Sequence, residues 1–137
     1  MDVNLYTDAQ ITSRLTLAAL DRHGIPFNRI SASTQRESLR AAGIGELPAL
    51  YAKGPSARVS WSGYRPDLIG LLAELIMRGP LDSADLNDPD KVARAVLTRE
   101  QAVACIRAHQ FNPADFFASH GNSPLYRGSV VSHWLGY

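Results

Sequence analysis

The sequence predicts an α/β domain followed by a helical extension, and three observations carry that expectation. Over residues 1–78, short strand-type runs alternate with segments of helical periodicity. From Leu81 to Asp90 the periodic apolar content lapses into four aspartates and a proline. Beyond that point helix-start signals recur. The chain has 137 residues, 45% of them hydrophobic and 20% charged, which suits one globular domain or a small one with an appendage.

Val3-Asn4-Leu5-Tyr6 alternates apolar and polar residues with the period of a strand. A helix is expected from about Gln10 to His23, with Ile11, Leu15, Ala18 and Ala19 on its apolar face and Gly24 as its stop. Pro26 to Ser31 reads as the second strand. Ser33 or Thr34 caps a helix to about Ala42, and Gly43-Ile44-Gly45 breaks it. Leu47 to Ala52 is short and apolar enough for a buried strand, Lys53-Gly54-Pro55-Ser56 is turn chemistry, and Ala57 to Trp61 returns antiparallel. Pro66 opens a helix whose Leu68, Ile69, Leu72, Leu75 and Ile76 form a wide apolar stripe, ended by Gly79-Pro80. The order is β-α-β-α-β-β-α over residues 1–78.

Residues 79–90 read as a linker and 91–137 as a helical extension. Pro89 opens one helix, Thr98 with Gln101 fits a capping box for a second, Asn112-Pro113 fits the start of a third ended by Gly121, and Ser129 to Leu135 forms a short fourth turn. Val96, Val103, Ile106, Phe111, Phe116, Phe117, Val130 and Trp134 are too many apolar side chains to leave in water. The first domain, the extension itself or another chain must cover them.

Charge and cysteine content exclude several function classes. With 14 Lys+Arg against 13 Asp+Glu the net charge is +1, and neither part is strongly charged, so no nucleic-acid partner is expected. No run approaches the length of a membrane span, and Met1-Asp2-Val3-Asn4 lacks the features of a secretory signal, so a cytoplasmic protein is expected. The single cysteine, Cys105, permits neither an intrachain disulfide nor a dithiol cycle. Cys105 and His109, at helical i, i+4 spacing, make four candidate zinc ligands with His120 and His133, yet no Cys-x-x-Cys or His-x-x-x-His pair anchors them. Asp82, Asp85, Asp88 and Asp90 lack the glycine and terminal Glu of a calcium loop. No metal and no cofactor is expected.

Three segments carry a resemblance. Leu5-Tyr6-Thr7, Glu46-Leu47-Pro48-Ala49-Leu50 and Trp61-Ser62-Gly63-Tyr64-Arg65-Pro66-Asp67 resemble, in order, the strand end, the cis-proline loop and the Trp-Ser-Gly-Phe-Arg-Pro signature of the NrdH-redoxins. These are glutaredoxin-like electron donors of ribonucleotide reductase. The resemblance covers residues 1 to about 77 and implies a thioredoxin-like fold. It also implies a Cys-x-x-Cys at the start of the first helix, where this chain has Gln10-Ile11-Thr12-Ser13. Gln10 and Ser13 occupy the thiol positions, with one residue deleted before them.

Without those thiols the resemblance implies a binding surface and no electron transfer. The cis bond before Pro48 would expose the backbone of Leu47 to an extended peptide. Trp61, Ser62, Gly63, Tyr64 and Arg65 would shape the surface beside it. The expectation is a redox-inactive protein-binding module, an adaptor or decoy, whose partner is a host protein such as thioredoxin reductase or ribonucleotide reductase. A rival expectation is a glutathione-binding or transferase-like enzyme in which Tyr6, Thr7 or Ser13 assists the thiolate. A third is self-assembly through the apolar tail. The closing run Tyr126 to Tyr137 is similar to C-termini of small actinobacterial phage proteins, which implies a viral protein acting in a host cytoplasm.

Overall fold

In the computed structural model, residues 1–31, 41 and 46–137 are described. The chain divides into two compact units, Met1–Ala73 and Glu74–Tyr137. The helix expected from Ser33 or Thr34 to Ala42 lies, apart from residue 41, outside the described residues.

The first unit holds β1 (Asp2–Thr7), α1 (Ile11–Arg22), β2 (Asn28–Ser31), β3 (Ala49–Lys53), β4 (Arg58–Ser62) and the larger part of α2 (Pro66–Arg78). Its sheet runs β2-β1-β3-β4, with β1 parallel to β2 and antiparallel to β3, and β3 antiparallel to β4. This is the thioredoxin-like arrangement. Register explains its core. Val3, Ala52 and Val59 line up across three strands, as do Leu5, Leu50 and Trp61, and all six are buried on one face. Each larger apolar side chain there contributes about 1.5–3 kcal/mol by leaving water. The β3–β4 turn closes where the Gly54 amide donates to the Ala57 carbonyl at 2.8 Å.

The helix α1 starts and stops as predicted but faces the other way. Its buried residues are Ser13, Thr16, Ala19 and Leu20, whereas Ile11, Leu15 and Ala18 are exposed. Small side chains on the inward line permit close packing. Their hydroxyls carry no penalty because each is bonded locally: Thr16 Oγ1 donates to the Thr12 carbonyl at 2.8 Å, and Ser13 Oγ donates to Asp8 Oδ1 at 2.8 Å. The C-terminus is a Schellman motif. Gly24, at φ +67°, donates to the Asp21 carbonyl and Ile25 to that of Leu20, both at 3.0 Å.

The second unit holds the helices expected of the extension together with two short strands, and it takes in the stretch read as a linker. Residues Ser83–Asn87 form a 3₁₀ turn that buries Leu86, and Asp88 caps α3 (Pro89–Arg94) through the amides of Asp90 and Lys91. After α3 come β5 (Val96–Thr98), α4 (Arg99–Ala108), α5 (Pro113–His120), β6 (Leu125–Arg127) and α6 (Gly128–Trp134). The strands β5 and β6 pair antiparallel, with Leu97 opposite Tyr126. Three-residue strands are too short to display a period, so nothing local announced them. The capping box of Thr98 and Gln101 forms as read, and Asn112 caps α5 through the Ala114 amide.

These elements enclose their own core of Leu86, Val92, Leu97, Ala102, Cys105, Ile106, Phe116, Tyr126 and Val131, with Phe117, Val130 and Trp134 packed against it. Phe116 is fully buried at its centre, with ring contacts to Tyr126 at 5.2 Å and Trp134 at 5.5 Å. The extension therefore covers most of its own apolar surface; Phe111 remains 52% exposed. Glu74, on the last turns of α2, pairs with Arg127 at 3.1 Å, and the Arg78 guanidinium donates to the Arg94 carbonyl. The boundary thus falls inside α2 and not after it.

Two glycines yield opposite expectations. A Cβ on Gly128 would stand 1.7 Å from the Val92 carbonyl oxygen, so Gly128→Ala should lower stability by about 1–3 kcal/mol or more in urea unfolding. At Gly70, inside α2, a Cβ would find among the described residues only His23 Cε1 at 4.0 Å, so Gly70→Ala should raise stability by about 0.5–1 kcal/mol.

Candidate functional site

Sheet register gathers the predicted site at one end of the first unit. Tyr6 pairs with Ala49 and Ala49 with Ser62, so the chain leaving β1, entering β3 and leaving β4 lies at the same edge. Three loops meet this edge: residues 8–10 before α1, 46–48 before β3, and 63–65 before α2.

The Leu47–Pro48 bond is cis. Pro48 is buried and Leu47 half-buried. The Pro48 carbonyl accepts from the Gly63 amide at 2.7 Å, which ties the second loop to the third. Gly63 sits at φ +83°, a conformation that favours glycine, and a Cβ there would stand 3.1 Å from Oε1 at the end of the exposed Glu46 side chain. This explains the glycine of the signature segment in physical terms.

The remaining signature residues divide between core and surface. Trp61 is only 9% exposed and packs inward beside Leu50, and its Nε1 has no hydrogen-bond partner among the described residues. Truncating it would act first through the core. Ser62 and Tyr64 are half-buried and Arg65 is exposed. The Arg65 guanidinium forks onto the Asp67 carboxylate, Nε to Oδ1 at 3.1 Å and Nη2 to Oδ2 at 2.9 Å. That hydrogen bond holds the Asp67 carboxyl below its ordinary pKa and raises that of Arg65.

At the start of α1, the predicted rim is held by local hydrogen bonds. Gln10 is the exposed N-cap residue and makes no side-chain cap bond. Asp8, a residue the motif reading missed, ties the loop to the helix: its Oδ1 accepts from the Gln10 amide at 3.0 Å and from Ser13 Oγ at 2.8 Å, and its own amide donates to Ser13 Oγ at 3.2 Å. An acidic residue three positions before the first helical residue was the available signal. Ser13 is fully buried with its hydroxyl engaged as both donor and acceptor, so it cannot serve as a nucleophile toward an outside substrate. Ile11 is exposed and Thr12 half-buried.

The side chains considered for glutathione are mostly inside. Thr7 is 3% exposed and accepts from Arg29 Nε at 3.3 Å. Tyr6 is half-buried with an edge contact to Tyr51 at 5.9 Å, and burial, followed by Tyr6, raises the Tyr51 pKa.

In the second unit, the candidate metal ligands do not converge. Cys105 Sγ points to the Leu86 carbonyl at 3.4 Å, and burial raises its pKa, which keeps it a thiol. His109 Nδ1 lies 2.8 Å from the Cys105 carbonyl and its Nε2 3.2 Å from the Tyr137 hydroxyl, while His120 stacks on Phe116. Asp88 caps α3 and Asp85 pairs with Lys91 at 2.9 Å. Among the described residues no group of three or more His, Cys, Asp or Glu is placed to hold a metal ion. Among the same residues no helix is long and apolar enough to cross a membrane.

No family model matches the chain. The glutaredoxin-like protein NrdH of Escherichia coli (strain K12) is 33% identical over 76 residues, which cover 53% of this chain and 89% of that protein; that of Shigella flexneri matches to the same extent. The solved structure of the glutaredoxin-like NrdH-redoxin from Escherichia coli aligns at 32% identity with a TM-score of 0.46, covering 53% of this chain and 95% of that one.

The bonding at this edge yields two predictions. Ser13→Ala removes the acceptor of the Asp8 amide and one of the two donors to its carboxylate, and should cost about 1–2 kcal/mol of stability in chemical unfolding. For Asp67, a folded pKa below the ordinary value means that its small contribution is present above the ordinary carboxylate range and is lost as pH falls through the folded value. In Arg65→Ala the Asp67 carboxyl should titrate closer to its ordinary range by NMR, with stability at neutral pH changed by less than about 1 kcal/mol.

Proposed function

The chain belongs to the glutaredoxin-like NrdH family, and from that premise we propose that it is a member that binds protein partners without exchanging disulfides. The observation that carries this reading is the start of α1, where Gln10 stands at the N-cap position without a side-chain cap bond and the buried Ser13 hydroxyl is bonded to Asp8. Disulfide exchange needs one thiolate to attack a sulfur and a second thiol to release the mixed disulfide. The only thiol is Cys105, buried in α4 of the second unit and held protonated. Nothing in the first unit can take either role.

Docking makes no such demand. The half-buried Leu47 and Tyr64 and the exposed Arg65 stand around the same sheet edge as Gln10, on loops fixed by the Gly63–Pro48 hydrogen bond and the Arg65–Asp67 pair. In this reading the partner is a protein that serves redox-active members of the family, thioredoxin reductase or ribonucleotide reductase, and the chain occupies its docking site as an adaptor or decoy.

The test uses the full chain. It should give no turnover in a thioredoxin-reductase-coupled disulfide assay, and it should inhibit turnover by an authentic NrdH-redoxin in proportion to its concentration. Tyr64→Ala with Arg65→Ala should weaken that inhibition at least about tenfold, equivalent to about 1.4 kcal/mol of binding, with the circular dichroism unchanged. The same comparison is made by pull-down with ribonucleotide reductase. Measurable turnover, or no inhibition and no capture by the intact chain, would overturn the proposal.

A further inference from the structure

The outward line of α1 has the pattern of a seam. Ile11, Leu15, Ala18 and Arg22 follow at i, i+4, i+7 and i+11, spacings that keep side chains on one helix face. They lie opposite the buried Ser13, Thr16 and Leu20. Ile11 is 63% and Leu15 41% exposed, two of the few large apolar side chains left in water among the described residues. One heptad apart on the same flank stand Arg14 and Asp21, both exposed and neither in an ion pair among the described residues.

Heptad geometry turns this pattern into an orientation. Leu15 and Arg22 hold a positions, Ile11 and Ala18 hold d positions, and Arg14 and Asp21 hold successive g positions. In a parallel pair the g residues would face e positions, here Thr12 and Ala19, which carry no charge. In an antiparallel pair g faces g. With Leu15 of one helix against Ala18 of the other, Arg14 of each lies against Asp21 of the other, twice over by symmetry. The arginine stem at position 22 then covers Ile11 with its methylenes. A surface whose charges complement themselves under a two-fold axis specifies its occupant.

We propose that α1 is the seam of an antiparallel, two-fold dimer of this chain, aligned by reciprocal Arg14–Asp21 ion pairs. One helix of 12 residues falls short of the roughly 800 Å² per partner of a stable interface, so the association is weak and concentration-dependent. This inference is independent of the docking reading, since it uses neither Tyr64 nor Arg65.

Charge reversal tests it on the full chain by sedimentation equilibrium up to about 1 mM, a range that reaches weak association constants. The natural chain should show a monomer–dimer equilibrium. Arg14→Asp alone and Asp21→Arg alone should each weaken it at least about fivefold, because each places like charges together, while circular dichroism stays unchanged. An equimolar mixture of the two variants should recover the dimer. In the mixed pair, the aspartate that replaces Arg14 meets the arginine that replaces Asp21 at one contact, and the unaltered Asp21 meets the unaltered Arg14 at the other. Dimerisation that either single variant leaves intact, a mixture that stays monomeric, or a natural chain that stays monomeric throughout would each overturn it. Tyr64→Ala with Arg65→Ala should leave the equilibrium unmoved, which separates a failure here from a failure of partner docking.

Discussion

How α1 is turned about its own axis governs both the chemistry and the surface of the first unit. A helix lying on a sheet can bury one line of side chains only, and here that line is Ser13, Thr16, Ala19 and Leu20. Burying Ser13 brings its hydroxyl to Asp8 and withdraws it from solvent. The same rotation places Ile11 and Leu15 in solvent. A sealed rim and an apolar outer line are therefore two results of one packing choice.

That choice is stable because polar groups inside are satisfied within a few residues of chain. Thr16 returns to the Thr12 carbonyl, and Ser13 and Asp8 exchange bonds across the loop. An inward hydroxyl with a local partner costs little, and a small residue lets the helix lie closer to the strands. Hydrophobicity alone would have chosen the opposite face. The second unit shows the complementary case, in which Phe116 and its aromatic neighbours draw a 3₁₀ turn, four helices and two short strands around one centre.

Much of this architecture was legible before any coordinates. Gly24, Gly79, Pro66, Asn112 and the Thr98–Gln101 box marked helix ends because they act through their own backbone or their nearest neighbours. The signature segment from Trp61 to Asp67 lies at the end of the sheet where the predicted residues gather. What stayed hidden was non-local. The pairing of β5 with β6 joins segments far apart in the chain, Leu86 is drawn into a core by residues beyond it, and Asp8 acquires its role only once Ser13 turns inward.

The amino-acid inventory by itself settled that these 137 residues hold one cysteine and so form no disulfide among themselves, because covalent chemistry depends on which atoms are present and no fold can supply a missing sulfur. It also settled the family, since a run of specific residues needs no coordinates to be compared. Tertiary structure decided which face of α1 meets the strands, whether Trp61 is core or surface, and what covers the extension's aromatic residues. Those outcomes depend on competition among distant surfaces for the same burial, and that competition is resolved only when the whole chain has packed.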